Sequence, residues 1–439
     1  MSRPQHFGWF FSRGFGPQGW GRAHYEWNYD WTKPDLYQQS TRALEQAGLD
    51  LIIIEDALSL GSPQTLDLRV RQAYGGPKHD PLMLTPYLFN ATSKIGITPT
   101  INPMSYAPYT AARQLATLAH LSGDRFGINL VTDVGSSRHF GLDPLDHNGA
   151  YDRAQEWLEV VRRLWHSWGA DSLVADPETH QFANGDTMDA FDHQGKFYRA
   201  AGPLNALPFS DHDPVIVSPG GSPRGLAFAG EQSDVQLAAA PLNVASIRAY
   251  RNKIHSAARD QGRDAKDIRI LFVFIPEVVS SVEEAERIVT ASREPSEAVL
   301  RDIAIGQSSD LETDLISLDL DRRVDRALFG DHVSEGSLRR LLGKYDDFTD
   351  ASLRDLLTQK AAKRRIGQDS GTVGTAEEIA DFVAELGDEA DNDGFIFNGD
   401  LHPVTIHRTL GELVPVLRRR GLLRDTLSSG GLRQNLFDF

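Results

Sequence analysis

Polar side chains follow three apolar runs of this sequence, at positions where they could contact a ligand. Asp56 and Asn102 each come just after an apolar run, and Asn129 and Thr132 stand at the end of a third. Carboxyl, amide and hydroxyl groups of this kind orient a small molecule in an otherwise apolar pocket. The spacing therefore indicates candidate ligand contacts, and it does not by itself identify a reaction.

The segment Ser218-Pro-Gly-Gly-Ser-Pro-Arg-Gly225 combines small residues, a hydroxyl group and a basic side chain before a predicted helix. Small residues let a phosphate approach the backbone amides at a helix N-terminus, where Ser222 would add a hydroxyl and Arg224 a positive charge. The same pattern is typical of a tight turn in which Ser222 caps the helix and Pro223 occupies its first turn. Spacing alone favours the turn, and the phosphate site stays open as the alternative.

His147 and Tyr151 are four residues apart at the start of a predicted helix, so their side chains face the same direction. That direction could be a ligand. Tyr151 could equally begin the apolar stripe that continues through Ala154, Leu158 and Val161. On the pattern alone, core packing explains Tyr151 and a solvated helix cap explains His147.

Several common catalytic motifs are absent from the sequence. There is no Gly-x-x-x-x-Gly-Lys-Ser/Thr loop and no Gly-x-Gly-x-x-Gly after a strand, so neither ATP nor NAD has its usual binding loop. The chain has no cysteine, which excludes disulfides, thiolate metal sites and a cysteine nucleophile. The 14 histidines show no regular ligand spacing, and we predict no metal site.

Eight short apolar runs, each followed by a helical pattern, are predicted as the strands that must position these residues. They are Phe7–Phe11, Leu51–Ile54, Ile95–Ile101, Arg125–Val131, Pro214–Val217, Asp234–Ala238, Ile268–Ile275 and Gly394–Phe397. Strands separated by helices pair in parallel, and eight of them favour closure into a (β/α)8 barrel of the TIM type. The pattern alone also permits an open doubly wound sheet.

Two stretches are additional to the strands, helices and short loops of a minimal barrel. Residues 169–213 are rich in Asp, His, Gly and Pro, and residues 292–372 are helical but highly charged. We interpret them as insertions after strands 4 and 7 of one domain that spans residues 1–439, and we expect both at the face where the strands end and active sites are built. Thr375 and Glu378 form a predicted capping box before the last strand.

A basic cluster ends the second insertion, with Lys360, Lys363, Arg364 and Arg365 close together. It could attract an anionic substrate, or it could be the solvated face of a helix. The second interpretation is the simpler one, because runs of like charge on a helix are usually solvated.

The composition is that of an ordinary globular enzyme with an acidic surface. The formal net charge is −16, so a polyanion such as DNA would be repelled and we expect no nucleic-acid partner. No apolar run reaches the ~18 residues of a membrane helix, and the N-terminus lacks a signal-peptide pattern. We therefore expect a cytoplasmic enzyme without membrane contact.

Several colinear segments resemble the bacterial-luciferase-like flavin monooxygenases. The resemblance runs from about residue 7 to residue 424, is clearest over Arg125–Trp168, and is closest to the branch of nitrilotriacetate, dibenzothiophene-sulfone and long-chain alkane monooxygenases. The segments that carry it are His120–Thr132, Phe140–Leu142, Leu164–Trp168, Gly220–Ala229, Asp393–Phe395 and Val414–Arg424.

The resemblance implies a TIM-type barrel that binds FMN in its reduced form. It places Asp56 and Asn102 near the isoalloxazine ring, with Asn129 and Thr132 supporting the floor of that pocket. It also changes the interpretation of three residues considered above. His147 and Tyr151 become contacts along the ribityl chain or phosphate, and Ser222 with the adjoining amides, helped by Arg224, becomes the phosphate site.

The implied reaction is oxygenation of a small organic substrate by O2, through hydroxylation, sulfur oxidation or cleavage of a C–S or C–N bond. Because the chain lacks a dinucleotide-binding loop, a separate NAD(P)H:flavin reductase is the expected transient partner that supplies the reduced flavin. His79 and His139 are candidate acid–base residues. A homodimer or homotetramer is expected. The competing hypotheses are a deazaflavin-dependent barrel oxidoreductase and a non-catalytic flavin-binding accessory subunit.

The sequence departs from this family on the expected substrate side. Glu55 precedes Asp56 where relatives usually have alanine, and the segment Asp133-Val-Gly-Ser-Ser-Arg138 has an unfamiliar composition. The identity of the substrate therefore cannot be carried over from the family.

Overall fold

Eight parallel strands close into a barrel at the centre of the chain. The computed structural model describes residues 3–439 apart from 13, 21–29, 62–65, 72, 74, 134, 170, 210–211, 330–332, 334 and 400–406. The barrel strands, in their order around the barrel, are β1 (His6–Phe11), β2 (Leu51–Ile54), β3 (Gly96–Ile101), β4 (Gly127–Leu130), β9 (Val215–Pro219), β10 (Val235–Ala238), β11 (Arg269–Phe274) and β14 (Gly394–Asn398).

The predicted barrel is confirmed, and all eight strands lie within two residues of their expected bounds. Closure excludes the open sheet, because β1 pairs in parallel with both β2 and β14. In that register Trp9 lies opposite both Ile52 and Phe397. Parallel strands in a barrel are covered on both faces, which explains why their sequences are almost continuously apolar.

Helices surround the barrel and build the second insertion. They are α1 (Asp35–Gln46), α2 (Leu66–Arg71), α3 (Pro81–Phe89), α4 (Pro108–Ser122), α5 (His147–Trp165), α6 (Pro223–Gln232), α7 (Val244–Asp260), α8 (Val282–Ala291), α9 (Glu297–Asp310), α10 (Glu335–Leu342), α11 (Leu353–Ala361), α12 (Ala376–Ala390), α13 (Val414–Arg419, continuing a π-helical stretch His407–Leu413) and α14 (Gly431–Phe437). Among the described residues, no helix has the length and apolar content needed to cross a bilayer.

Side-chain caps decide where several of these helices begin. Asp146 accepts a hydrogen bond from the Gly149 amide at 2.7 Å and starts α5. The predicted capping box before β14 is present, since the Thr375 amide donates to Glu378 at 2.9 Å and the Glu378 amide donates to the Thr375 hydroxyl at 3.3 Å. Each cap satisfies an amide that the helix leaves without a partner.

The first insertion departs from its expected place. It follows α5 rather than β4, so it leaves the barrel at the N-terminal ends of the strands. Its two antiparallel hairpins, β5 (Leu173–Asp176) with β6 (Gln181–Ala183) and β7 (Asp192–Gln194) with β8 (Arg199–Ala201), belong to no barrel sheet. The segment then packs along the outside of α5, where Glu156 accepts the Tyr198 amide at 2.8 Å.

The second insertion builds a core of its own. Leu300, Leu315, Leu341 and Leu353 are at most 1% exposed and belong to an apolar cluster separate from that of the barrel. The segment is framed by the short parallel pair β12 (Glu277–Val279) and β13 (Val373–Thr375). Glu312, just after α9, lies 3.1 Å from Arg69 of α2, which brings this insertion to the ends of the barrel strands.

The C-terminal helix α14 fills the opposite end of the barrel. Leu432 and Leu436 are fully buried in a cluster with Leu51, Val215 and Leu271 on the barrel strands. Gly127 makes room for this helix, because a methyl group at its position would lie 3.2 Å from Leu432 and 2.8 Å from the Val215 carbonyl. No sequence motif indicated this contact between the last helix and the strands.

We expect Leu432→Ala to lower the free energy of unfolding by about 2 to 5 kcal/mol, the range for a buried leucine that leaves a cavity. Urea denaturation followed by circular dichroism measures the loss. Leu121→Ala is the matched control, because Leu121 is 78% exposed and its truncation should change stability by less than about 0.5 kcal/mol. Equal effects of the two substitutions would show that α14 does not stabilise the barrel.

Candidate active site

A cavity of about 510 Å³ opens where β2, β3 and β4 end. Its lining includes residues 56–61 after β2, Asn102 after β3 and residues of the 131–138 segment after β4. Arg69 of α2 and Glu312 of the second insertion complete it. The carboxyl ends of barrel strands are where TIM-barrel enzymes carry their active sites.

Asn102 presents a hydrogen-bond donor without a partner to this cavity. Its residue is 6% exposed, and its side-chain oxygen accepts the Met104 amide at 3.1 Å. The side-chain nitrogen Nδ2 is buried and has no hydrogen-bond partner within the described chain. A buried donor left unpaired costs about 1 to 3 kcal/mol, so a ligand carbonyl that accepts this hydrogen bond would recover that free energy.

Asn129 is not among the residues that line the cavity, but it is hydrogen-bonded to one that is. The Asn129 Nδ2 donates to the Thr100 hydroxyl at 2.9 Å, and that hydroxyl donates to the Ile54 carbonyl at 2.7 Å. This chain of bonds joins β4, β3 and β2, and Thr100 lines the cavity itself. Thr132 is half-buried and lines a small adjoining recess with Asn102.

Asp56 lines the cavity, and its burial raises the pKa of its carboxyl to about 6. A hydrogen bond from the Ala57 amide and the charge of Lys78 partly offset that effect on the pKa. Lys78 is itself paired, since its Nζ lies 2.9 Å from the Glu55 carboxylate. Asp56 can therefore take up and release a proton near neutral pH at the wall of the cavity.

A second polar site lies at the end of β9, the strand next to β4. The Nε2 of His147 lies 2.8 Å from the Ser222 hydroxyl, which also accepts the Gly225 amide at 3.1 Å. Ser222 is therefore the N-cap of α6, as the simpler interpretation of this segment expects. The hydroxyl, the imidazole and the positive end of the α6 dipole together suit an anion.

Glycines keep this second site open. Gly220 has a φ of +134°, which side chains rarely adopt, and a Cβ there would lie 2.7 Å from the Tyr151 hydroxyl. A Cβ on Gly225 would meet the same hydroxyl at 2.7 Å. Nothing lies within 4 Å of a Cβ at Gly221, so the backbone faces open space there. A phosphate could approach these amides directly.

Tyr151 has features of both interpretations that the sequence left open, a core residue and a ligand contact. It is 6% exposed and packs against Phe228 at 5.6 Å between ring centroids, as a core residue does. Its hydroxyl nevertheless points to the Gly220 turn. The ring centroids of Tyr151 and His147 are 5.2 Å apart. The guanidinium of Arg224 forms an ion pair with the Asp152 carboxylate at 3.0 Å, so the charge of Arg224 is already partly neutralised.

The two histidines proposed for acid–base chemistry lie outside the cavity lining. His79 is near Tyr37, and its Nε2 lies 3.2 Å from the Trp31 carbonyl. His139 is exposed, and its Nε2 lies 3.2 Å from the hydroxyl of Ser59, a residue that lines the cavity. The structure thus brings His139 to a residue of the cavity lining, whereas His79 contacts Tyr37 and Trp31.

Sequence reasoning missed several lining residues. Arg69 and Glu312 pair at 3.1 Å across 243 positions, and no local motif connects them. Arg138 lines the mouth of the cavity, and the unfamiliar composition of its segment was the only available signal. In the basic cluster at the end of the second insertion, Lys363 lies 2.6 Å from Glu277 and Arg365 lies 2.5 Å from Glu286, and none of the four residues of the cluster lines the cavity.

The chain matches the family model described as luciferase-like monooxygenase over residues 6–390. Dibenzothiophene-sulfone monooxygenase of Rhodococcus erythropolis (strain XP) is 29% identical, and the alignment covers 99% of this chain and 97% of the relative. N-acetyl-S-(2-succino)cysteine monooxygenase of Bacillus subtilis (strain 168) is 28% identical over 91% of this chain and 89% of its own.

Among solved structures, the riboflavin lyase bound to a modified FMN and riboflavin superposes with a TM-score of 0.79 at 24% identity. The superposition covers 100% of this chain and 96% of the lyase, so the whole fold is shared. With the closed barrel and the match to the family model, the chain belongs to the luciferase-like monooxygenase family and is a flavin-dependent monooxygenase.

Proposed function

We propose that this protein is the oxygenase of a two-component system, which receives reduced FMN from a separate NAD(P)H:flavin reductase and oxygenates a small organic molecule. The observation that carries the proposal is the pair of complementary sites at neighbouring strand ends. Asn102 offers an unpaired donor at one site, and Ser222 with His147 would bind an anion at the other. The separate reductase is supported by the absence of a dinucleotide-binding loop from the sequence.

The distance between the two sites suits a mononucleotide. The strands β2, β3, β4 and β9 are consecutive neighbours in the barrel. Neighbouring strands lie about 4.8 Å apart, so the ends of β2 and β9 are separated by roughly 15 Å. A fused ring system joined by a ribityl chain to a phosphate can extend over that distance.

The phosphate end would bind to Ser222, His147 and the amides after Gly220. The residues fit this group because Gly220 and Gly221 leave the backbone accessible and the ten-residue helix α6 directs its N-terminus to the same place. Tyr151 would position the turn through its hydroxyl. Arg224 would contribute less, because it is paired with Asp152.

The ring end would bind beside Asn102 and Asp56. The unpaired Nδ2 of Asn102 would donate to a ring carbonyl, and Asp56 would exchange a proton close to the ring, because its pKa of about 6 lies near neutral pH. Asn129 and Thr132 would support this pocket from below. Reduced FMN supplies the two electrons with which one atom of O2 enters the substrate and the other leaves as water.

The substrate would enter from the side that the second insertion covers. Glu312 and Arg69 line that side of the cavity as an ion pair, so their charges largely cancel along the path of the substrate. The names of the two relatives given above specify a sulfone and a thioether as substrates. We propose sulfur oxidation or C–S cleavage for this chain as well, with C–N cleavage and hydroxylation as the other outcomes to be screened.

Rapid mixing of the protein with photoreduced FMN and then O2 tests the proposal. We expect the protein to bind reduced FMN and to change the rate at which the flavin is reoxidised, compared with free reduced FMN. In steady state, NADH, FMN, a generic flavin reductase and a panel of sulfones, thioethers and amines should give substrate loss that depends on O2. The reductase without the protein is the control.

The competing hypotheses predict different results in the same assays. A deazaflavin-dependent oxidoreductase would transfer hydride to or from the deazaflavin without consuming O2. A non-catalytic accessory subunit would bind reduced FMN and leave its reaction with O2 unchanged. Failure to bind reduced FMN at all would refute the proposed function.

Ser222→Ala is expected to weaken the binding of FMN about tenfold or more, because a hydrogen bond to a charged group contributes about 1.5 to 3 kcal/mol. Riboflavin, which lacks the phosphate, should bind wild type and variant alike. Fluorescence quenching measures both affinities. Ser281→Ala is the matched control, because Ser281 caps α8 in the same way and lies on a different helix. Parallel losses for FMN and riboflavin would contradict a phosphate site at Ser222.

Asp56→Asn should stabilise the flavin-free protein at pH 8 and have little effect at pH 4. Burial raises the pKa of Asp56 to about 6 in the folded protein, above ~3.9 in the unfolded chain. The stability that Asp56 contributes is therefore present at low pH and is lost as the pH rises through about 6. The variant should gain about 2 kcal/mol over that interval. Urea unfolding of both proteins from pH 4.5 to 8 measures the difference between their free energies of unfolding. A difference that does not change with pH would contradict the prediction.

A further inference from the structure

The charged residues that line the cavity are Asp56, Asp133, Glu312, Arg69 and Arg138. Most of them are occupied by partners from the protein. Glu312 and Arg69 neutralise each other at 3.1 Å. Asp133 accepts the Gly135 amide at 2.7 Å and the Ser136 hydroxyl. The ion pair removes two of the five charges, and the hydrogen bonds hold the Asp133 carboxylate in place without neutralising it, so Arg138 is the one positive charge among the described lining residues that has no acidic partner.

Arg138 makes no ion pair within the described chain. Its Nη2 donates only a long hydrogen bond, 3.4 Å, to the Gly61 carbonyl. A guanidinium carries five donors in a planar fork that matches a carboxylate. Most of this hydrogen-bonding capacity is therefore available at the mouth of the cavity.

The surrounding turn holds Arg138 at the mouth. It lies on a short helical turn, Ser137–Phe140, that Asp133 fixes through the hydroxyl of Ser136. The neighbouring His139 reaches across to the Ser59 hydroxyl at 3.2 Å. Arg138 is exposed while Asn102 is 6% exposed, so the guanidinium lies at the entrance and the unpaired amide lies deep in the cavity.

We propose that the substrate is a small organic anion whose carboxylate or sulfonate group binds Arg138 at the mouth of the cavity. The uncharged part of the molecule, which contains the sulfur or nitrogen to be attacked, then extends inward to the region of Asn102. This inference rests on the proposed function, because it names the substrate class of the same site.

The positive charge of Arg138 would favour anionic small molecules over neutral ones. With a formal net charge of −16 the surface as a whole repels anions, so an anionic substrate requires a local positive charge at the entrance. The basic cluster of the second insertion does not supply that charge, because none of its four residues lines the cavity, and Lys363 and Arg365 are paired with glutamates. Arg138 is the cation among the lining residues that remains without an acidic partner.

Calorimetric binding to the FMN-loaded protein tests the proposal with matched pairs of probes. The acids are methylthioacetate, 2-(methylthio)succinate and iminodiacetate, and each is compared with its methyl ester. The ester keeps the shape and removes the charge. We expect at least one acid to bind about tenfold more tightly than its ester, because charge-assisted hydrogen bonds contribute about 1.5 to 3 kcal/mol.

Substitutions of Arg138 test whether this residue causes the preference for the acid over its ester. Arg138→Gln should abolish the difference between acid and ester while leaving the affinity for the ester unchanged, and Arg138→Lys should restore part of it. Arg259→Gln is the matched control, because Arg259 is an exposed arginine on α7 outside the cavity. Added salt should weaken the acids and not the esters, since the guanidinium is exposed.

Three results would overturn the inference. These are acids that bind no better than their esters, an acid preference that survives Arg138→Gln, and a failure of all three acids to bind the FMN-loaded protein. Titration with reduced FMN in the absence of O2 comes first and separates the two levels of the hypothesis. A protein that does not bind reduced FMN refutes the proposed function, whereas a protein that binds it and prefers esters refutes only the anionic substrate.

Discussion

The parallel pairing of β1 with both β2 and β14 is the constraint on which the rest of the structure depends. Once the sheet is closed, eight strand ends form one ring, and residues distant in the chain become neighbours. Asp56, Asn102 and Arg138 then line one cavity, although the chain separates them by more than eighty positions in total. Closure also leaves an opening at the other end, which α14 fills with two leucines.

Several basic residues near the strand ends and in the second insertion have acidic partners within the protein. Lys363 and Arg365 pair with glutamates, Arg69 pairs with Glu312, and Arg224 pairs with Asp152. Polar groups that lack such partners are therefore informative. Asn102 and Arg138 are of this kind, and both face the cavity. Their different depths suggest a ligand with a neutral inner part and a charged outer part.

The strands and the capping box were predictable because their causes are local. A buried parallel strand requires an apolar run, and the pair Thr375 and Glu378 satisfies amides within a single helical turn. The predicted place of the first insertion is wrong, although the order of the elements along the chain is sufficient to correct it. Residues 169–213 follow α5, and a segment after that helix leaves the barrel at the N-terminal ends of the strands. Their contacts with the helix, such as the Tyr198 amide with Glu156, join distant residues and have no local signal.

The apolar periodicity of the sequence by itself favoured a barrel, and its colinear motifs indicated the family and the candidate flavin residues, because both are properties of neighbouring positions. The sequence left Ser222 between a helix cap and a phosphate ligand, and Tyr151 between core and site. Only the tertiary structure shows the closed sheet, Ser222 as the cap of α6 at 2.8 Å from His147, and Tyr151 packed in the core with its hydroxyl beside Gly220. The ion pairs that leave Arg138 as the lining cation without an acidic partner among the described residues also join distant segments. Such pairs form through space after the chain has folded, and local sequence does not encode them.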